Sequence, residues 1–257
     1  MTWMAVIFSV VGIGMWGAAG VLLYFRHKTL GKVELMHSVE TSAASDVSGM
    51  SPGTLVEVKG TLRCESPLRS EMAEQTCAYY RSQVIREYEE TDRDADGDLQ
   101  TRRRSEVVAS NERFAPFAVE DASGTVGVRG EGAEVDALEV MNRFEQDRGG
   151  AGSITLGGLT VNLGGGSRTV GYRYVENVLP VDSPAYVLGA VQADRQVGAP
   201  TGEDGQSRFL ISYRSEEQLE KKLKRDALWQ SLIAVGLFLF GLIFLTVGVG
   251  VAGGLLA

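Results

Sequence analysis

The stretch LVEVKGTLRC, residues 55–64, decides the fold of the central part of this chain. Apolar and polar side chains alternate along it, and this period of two predicts a strand with one buried face. The predicted buried side chains are Val56, Val58, Leu62 and Cys64, and the predicted solvent-facing ones are Glu57, Lys59, Thr61 and Arg63. Gly60 interrupts the pattern, and a glycine within a strand is typical of a bulge or a barrel corner.

The stretch YVLGAVQA, residues 186–193, has a similar pattern, with Gly189 at its centre. Two strands that each contain an internal glycine fit the corners of a small closed barrel. An OB-like barrel is one such fold, and a β-sandwich is the alternative that the same short strands allow. We therefore predict a mainly β soluble domain around these two stretches.

The rest of the central region contains further strand signals between turn signals. The additional predicted strands cover residues 76–88, 105–119, 125–128, 172–179 and 208–213, with a break near Pro116. The intervening segments are predicted as a short polar helix and turn at 33–52, a charged loop at 89–104, a turn at 121–124, a short helix at 133–148 and a glycine-rich loop or hairpin at 149–166.

Two apolar runs, at about 2–25 and 227–257, bracket the β region, and neither contains Asp, Glu, Lys or Arg. A membrane-spanning helix needs about 20 apolar residues, and both runs meet that length. The predicted segments are a first span at 1–26, a juxtamembrane segment at 27–52, the β domain at 53–214, a linker helix at 215–226 and a second span at 227–257. No helix breaker separates the linker helix from the second span, so one continuous helix is expected there.

Basic residues flank both spans on the side of the β domain. Lys and Arg close to a span stay in the cytoplasm, so we predict an integral protein of the cell membrane with a cytoplasmic β domain and both termini outside. The same basic residues are expected to contact anionic lipid headgroups. This predicted set is Arg26, Lys28, Lys221, Lys222, Lys224 and Arg225.

Charge and composition limit the partners. All 33 acidic residues and 23 of the 25 basic residues lie within residues 29–226, which leaves this region with a net charge of −10. A domain of that sign repels nucleic acid, so the expected partners are membrane lipids and an unidentified membrane or cytoplasmic protein. Formation of a homo-oligomer is left open. The high content of acidic residues and arginine favours a prokaryotic source.

The chain has only two cysteines and two histidines. A structural zinc site needs four such ligands, and no arrangement of a catalytic triad is visible, so no cofactor and no catalytic residue is predicted. Cys64 and Cys77 are expected on adjacent strands as reduced, buried apolar groups. These observations argue against an enzyme without excluding one.

An acidic run in the charged segment resembles the start of a calcium-binding EF-hand loop. Asp92, Asp94 and Asp96 occupy the first three ligand positions, and Gly97 follows them. The twelfth position is Arg103 where a glutamate is required. We therefore predict a solvated hairpin tip, with weak calcium or magnesium binding as the alternative.

Four blocks in order carry a resemblance to a known family. They are CESPLRSEMAEQTCAYYRSQVIREYEE (64–90), FAPFAVEDASGTVGVRG (114–130), YVENVLPVDSPAYVLGAV (174–191) and FLISYRSEEQLEKKL (209–223). Together with the two spans, these blocks resemble the GIDE, or "beside a membrane", family. The eukaryotic member of that family is a mitochondrial-anchored ubiquitin and SUMO ligase, in which a C-terminal RING performs the ligase chemistry.

The resemblance implies a membrane-apposed binding or sensing module. No RING is expected here, because the cysteine and histidine count is too low. The family label of RING-type E3 ubiquitin transferase would therefore refer to a catalytic domain that this chain is not expected to contain. The expected function is a membrane-anchored, non-catalytic sensor or scaffold, with membrane stress or defence signalling as the setting that prokaryotic relatives suggest. The alternatives are an E3 ubiquitin ligase-family protein acting with a separate RING subunit, and a sensor of anionic lipids.

Candidate binding residues are placed on these blocks. Tyr79 and Tyr80 are adjacent in a predicted strand and therefore point to opposite faces, so one of them is expected to line a binding surface. The full candidate set is Pro67, Leu68, Tyr79, Tyr80, Glu120 and Asp121.

Overall fold

The computed structural model describes residues 2–93, 98–147, 153–156, 159–162, 168–200 and 209–252. The chain divides into two compact units, which we describe separately. The helical unit comprises Met1–Glu40 and Glu216–Ala257, and the β unit comprises Thr41–Ser215. The β unit therefore includes residues 41–52, which the sequence assigned to the juxtamembrane segment.

The helical unit contains two long helices, α1 (Thr2–Ser38) and α3 (Glu216–Ala252). Both are long and apolar enough to cross a membrane, and only 11% and 17% of their most apolar windows are buried. Such low burial differs from that of a core helix in a soluble protein, which is mostly enclosed. The continuous helix predicted from the linker into the second apolar run is confirmed by α3.

The two helices pack against each other in antiparallel directions. The Trp16 indole N–H donates a hydrogen bond of 3.1 Å to the carbonyl oxygen of Phe238, and the two rings stack with centroids 5.3 Å apart. Gly12 allows the close approach, because an added Cβ would lie 2.7 Å from the Leu245 Cγ. Small residues serve this purpose at helix contacts in membranes.

The β unit contains a closed five-stranded barrel. Its strands in ring order are β1 (Leu55–Arg63), β5 (Phe117–Glu120), β6 (Thr125–Val128), β13 (Val197–Gly198) and β12 (Pro184–Val191). The ring closes because β1 pairs with β12 up to Thr61 and with β5 from Thr61 onward, so Thr61 marks a change of partner. Gly60 precedes this change of partner, so the predicted barrel corner is confirmed there.

Two short strands and a short helix extend the barrel. Beyond β12 lie β14 (Leu210–Ser212) and β7 (Glu134–Asp136), which pair in parallel. The helix α2 (Ala44–Val47) contributes the buried side chains of Ala44 and Val47 to the barrel core.

A second sheet packs onto the same core. Its strands are β2 (Leu68–Arg69), β3 (Thr76–Arg93), β4 (Leu99–Phe114), β8 (Leu138–Gln146) and β11 (Arg168–Pro180). β3 pairs with β2, β4 and β11, and β11 also pairs with β8. Tyr79 and Leu179 from this sheet are buried with the barrel side chains. A separate hairpin is formed by β9 (Ser153–Leu156) and β10 (Leu159–Asn162).

The prediction of a charged loop at 89–104 was wrong. The described parts of this segment, 89–93 and 99–104, continue the long strands β3 and β4, in which Glu89 faces Arg103 and Glu90 faces Arg102. The Arg104 guanidinium also forms an ion pair of 2.6 Å with Glu90. Opposite charges on facing strands stabilise a sheet, so here a charged segment adopts regular structure.

The helix predicted at 133–148 was also wrong, because this segment forms β7 and β8. Its Leu, Glu, Met and Gln residues are good helix formers, but β8 pairs with β11 along its whole length. Tertiary pairing overrides intrinsic propensity in such segments. The glycine-rich segment at 149–166 lies largely outside the described residues, apart from β9 and β10.

Candidate functional site

The outer surface of the barrel carries a groove over the hairpin of β5 and β6. Ala118 of β5 pairs with Gly127 of β6, and both face outward because their neighbours Phe117 and Val128 point into the core. Two such small residues side by side leave a trough on the surface. We call this trough and its two ends the barrel groove.

The barrel groove has two halves that meet at Pro116 and Gln196. One half has a volume of about 530 Å³ and extends to Arg63 and Glu65. The other half has a volume of about 420 Å³ and extends to Arg129 and Glu131. Gln196 lies over Gly127, since a Cβ added to that glycine would be 3.1 Å from the Gln196 Cγ.

The charges at the two ends differ in how they are satisfied. Arg63 forms ion pairs with Glu120 and Asp182, and Arg129 forms one with Asp194. Glu65 and Glu131 are exposed, and neither has a hydrogen-bond or ion-pair partner among the described residues. The groove therefore presents neutralised arginines and unpaired carboxylates.

The structure places two of the predicted binding residues near this groove. Glu120 holds Arg63 at one end, and Pro67 is exposed and directly follows Ser66, which lines the groove. Leu68 is half-buried against the side chains of Cys77, Tyr80 and Val178 and is not part of the groove.

The two tyrosines are core residues on opposite faces of β3. Tyr79 donates a hydrogen bond of 2.9 Å to Glu112, and Tyr80 donates one of 3.3 Å to Glu71. Only 1% and 2% of their surfaces are exposed, and burial raises the pKa of both phenols. The prediction that one of them lines an open surface was therefore wrong, because both faces of β3 are covered at this position.

Asp121 organises the start of the β unit. Its carboxylate accepts hydrogen bonds from the hydroxyl and amide of Ser123, from the Gly124 amide, and from the Ala44 amide at the start of α2. The Ser123 hydroxyl has the largest effect and, together with the amides, lowers the pKa of Asp121 to about 2. Asp121 thus joins the turn after β5 to α2.

Replacing Asp121 with asparagine is expected to destabilise the β unit at pH 5 and to have less effect at low pH. A carboxylate with a lowered pKa stabilises the fold above its unfolded pKa of 3.8, and this contribution is lost as the pH falls through about 2. Hydrogen exchange of the Ala44 amide at pH 5 and near pH 2 measures the effect. Asp46→Asn, which alters an exposed carboxylate on α2, is the matched control, and an equal loss in both variants would contradict the assignment.

Two buried carboxylates stabilise the β unit, and their burial was not predicted from the sequence. Glu176 of β11 is fully buried and accepts hydrogen bonds from the Ser70 and Ser82 hydroxyls at 2.8 and 2.6 Å. The Met72 and Ala73 amides donate to it at 2.9 and 2.7 Å. Burial raises the pKa of Glu176, but these four hydrogen bonds outweigh burial and the net pKa is lowered.

Glu57 was predicted to face solvent, but only 1% of it is exposed. The Tyr186 hydroxyl donates a hydrogen bond of 2.6 Å to its carboxylate, and Thr41 donates one of 2.7 Å. Lys59 forms an ion pair with it at 2.9 Å. The strand alternation failed here because Thr41, at the start of the β unit, forms a bridge with the edge of β1 at Glu57, and the Thr41 and Tyr186 hydroxyls hold the Glu57 side chain.

The two cysteines do not form a reactive pair. Cys64 follows β1 and Cys77 lies in β3, and these strands belong to different sheets, so the predicted adjacency was wrong. Both thiols are free. Burial, followed by the charge of Glu176, raises the pKa of Cys77 to about 11. A thiol that remains protonated at neutral pH is a poor nucleophile.

The predicted metal and lipid residues lie elsewhere. Asp92 is exposed opposite Gln100 near the tip of the hairpin, while Asp94 and Asp96 lie outside the described residues. Within the described ranges, no group of three or more His, Cys, Asp or Glu residues could hold a metal ion. The six basic residues of the lipid set lie on α1 and α3, in the helical unit.

The antiparallel packing of α1 and α3 brings the two basic clusters to one region of the helical unit. Both clusters lie between the contact of Trp16 with Phe238 and the ion pair of His37 with Glu220 at 3.2 Å. Lys28 lies over the Tyr24 ring, with its ammonium 5.2 Å from the ring centroid.

Comparison with known proteins identifies the family. The model of the GIDE family, described as E3 ubiquitin ligase, matches residues 87–248. This range includes the last part of β3, all strands from β4 to β14 and most of α3. No curated protein and no solved structure matches the chain. Because the match covers more than half of its residues, the chain belongs to the GIDE family.

Proposed function

We propose that this protein is a membrane-anchored, non-catalytic sensor or scaffold whose β unit binds a protein partner. The observation that carries the proposal is the insertion of the β unit between two adjacent antiparallel helices that are long and apolar enough to cross a membrane. A domain tethered at both ends stays close to the bilayer surface. This confinement raises its effective concentration toward a partner in or on the same membrane.

As part of this proposal, we assign the β unit to the cytoplasm, with both termini outside. The support is the position of the basic residues, which follow the apolar part of α1 and precede the apolar part of α3. Basic residues near a span are retained in the cytoplasm. A protease added to the cytoplasmic face alone should cleave the β unit, and protection from that protease would contradict this orientation.

The non-catalytic part of the proposal is supported by how the polar groups of the β unit are used. Glu176, Glu57 and Asp121 are each held by hydrogen bonds from the chain itself. The Cys77 thiol is buried with a raised pKa. Groups whose hydrogen bonds are already made within the chain are arranged for stability rather than for contact with a substrate.

A second candidate function follows from the description of the family as E3 ubiquitin ligase. In this alternative, the β unit positions a separate subunit that carries the RING and the catalytic step. The difference from a general scaffold is the identity of the partner. A bound protein that contains a RING would therefore favour this alternative.

A third candidate is a sensor of anionic lipids. It is favoured by the two basic clusters that α1 and α3 bring together, of which Lys221, Lys224 and Arg225 are exposed. Basic clusters next to a span attract anionic headgroups electrostatically. Lipid binding that is lost when Lys221 and Lys222 are both changed to glutamate would favour this function.

Native mass spectrometry of the intact protein, combined with crosslinking in living membranes, separates these candidates. We expect a polypeptide that crosslinks to the β unit and remains bound in gentle detergent. Bound lipid without any protein partner would contradict the scaffold. A defined catalytic turnover that is abolished by a change at Glu120, Asp121 or Cys77 would contradict the non-catalytic assignment.

A further inference from the structure

We propose that the barrel groove binds an extended segment of the partner protein in which small apolar residues lie between two basic ones. This inference rests on the proposed scaffold function and identifies where the partner binds and what its binding segment contains. Three features of the groove carry it: the shape of the trough, the unpaired charges at its two ends, and the free amide at its centre.

The shape selects small apolar side chains. The floor is formed by the outward-facing pair of Ala118 and Gly127, with exposed Pro116 beside it. Phe117 and Val128 lie beneath this pair in the core, so the floor is backed by well-packed side chains. A trough of this kind accepts alanine or valine side chains and buries their apolar surface.

The charges select basic residues at both ends. Two arginines and five carboxylates surround the groove, and the arginines are already paired with three of these carboxylates, which belong to Glu120, Asp182 and Asp194. Glu65 and Glu131 remain exposed and without a partner among the described residues. They lie in opposite halves of the groove, so a basic side chain at each end of a bound segment would meet a carboxylate.

The centre of the groove offers hydrogen bonds to a backbone. Gln196 lines both halves, and no hydrogen bond from its side-chain amide to another described residue is present. A free amide has donors and an acceptor, so it can pair with both groups of a peptide unit. Recognition of a backbone between two charged ends favours an extended segment over a small ion.

The test is peptide binding to the full-length chain in nanodiscs of phosphatidylcholine, which has no net charge. The probes are labelled peptides in which two arginines are separated by runs of alanine and valine of increasing length, and counterparts in which glutamate replaces both arginines. We expect the basic series to bind with an optimum length and with an affinity that falls as salt is added. The glutamate series is expected not to bind.

Two variants of the groove test the two selective features separately. Changing both Glu65 and Glu131 to lysine should weaken binding of the best basic peptide by about tenfold or more at low salt. Ala118→Leu fills the trough and should weaken binding by a similar factor that depends little on salt. The matched control reverses Glu139 and Glu145 to lysine on β8 of the second sheet, which gives the same change in net charge and should leave binding unchanged.

Several outcomes would overturn the groove assignment. These are equal binding of the acidic peptides, equal loss in the control variant, and dimerisation of the chain that Ala118→Leu abolishes, which would make a second copy the occupant. If a protein partner crosslinks in membranes equally to the wild type and to the Glu65 and Glu131 variant, the scaffold function stands and the groove assignment fails. If no protein partner crosslinks at all, the scaffold function itself fails.

Discussion

The variant Gly60→Ala is expected to lose the folded barrel, with a free energy of unfolding lowered by more than about 4 kcal/mol. A Cβ at this position would overlap the carbonyl oxygen of Glu120 and would lie 2.7 Å from its carbonyl carbon and 2.9 Å from the Val119 Cγ1. The obstacle is the backbone of β5, which cannot rotate away as a side chain can. β1 would have to separate from β5, and the barrel ring would open at the point where it closes.

The matched control for this variant is Gly127→Ala in the same barrel. There an added Cβ meets only the Gln196 side chain at 3.1 Å, and that side chain can move. We expect a change within about 0.5 kcal/mol, as for most surface substitutions. The measurement is chemical denaturation followed by far-ultraviolet circular dichroism and tyrosine fluorescence. All three tryptophans, Trp3, Trp16 and Trp229, lie in the helical unit, so their fluorescence does not report on the barrel.

A Gly60→Ala variant as stable as the Gly127→Ala control would contradict the closure of the barrel between β1 and β5. A variant that does not accumulate in cells is consistent with the expectation but is not decisive alone. Gly60→Ala should therefore also be purified in denaturant and then transferred to conditions that stabilise the fold. Its refolding is compared with that of the control. Loss of refolding in Gly60→Ala alone supports the steric argument.

Four of the five barrel strands were predictable because each has a short local pattern, whereas β13 has only two residues and was not predicted. The alternation along residues 55–64 predicted β1, although it misplaced Glu57, and the turn before Thr125 predicted the hairpin of β5 and β6. Glycine within β1 and β12 indicated the corners before any pairing was known. These signals are local in sequence, so they can be recognised without knowledge of the partner strands.

The second sheet was less predictable because its signals depend on the partner strand. β8 is rich in helix formers, and only its pairing with β11 makes it a strand. The outer half of the β3–β4 hairpin is charged and exposed, and its regularity comes from Glu–Arg pairs across the two strands. A sequence read one residue at a time cannot show which residue faces which.

The candidate site was the least predictable part for the same reason. The barrel groove exists because Ala118 faces Gly127 across two strands, and neither residue is unusual alone. The burial of polar residues was also not predicted. Glu57 was predicted to face solvent and Glu176 was not singled out, whereas distant partners bury both. The Tyr79–Tyr80 pair indicated a binding surface only while the loop and strands that cover it were unknown.

Replacing Glu176 with alanine is expected to lower the free energy of unfolding by about 3–5 kcal/mol. The variant would leave four buried donors without their acceptor: the Ser70 and Ser82 hydroxyls and the Met72 and Ala73 amides. Because the pKa of Glu176 is lowered in the fold, its carboxylate stabilises the protein above its unfolded pKa of about 4.5 and loses this effect as the pH falls through the lower folded value. The difference between wild type and variant should therefore shrink in acid.

The loop at 70–75 gives a direct readout of this role, because Glu176 is what holds it onto the second sheet. Hydrogen exchange of the Met72 and Ala73 amides should become fast in Glu176→Ala, and Glu176→Gln, which keeps the shape but places an amide N–H₂ among donors, should lie between the two. The matched control is Glu145→Ala, which removes an exposed carboxylate paired with Arg143 at 2.6 Å and should cost at most about 1 kcal/mol. If both amides stay protected in Glu176→Ala, the loop is held by its apolar contacts, chiefly those of Met72 with Val84 and Ala109, and the carboxylate is not the anchor.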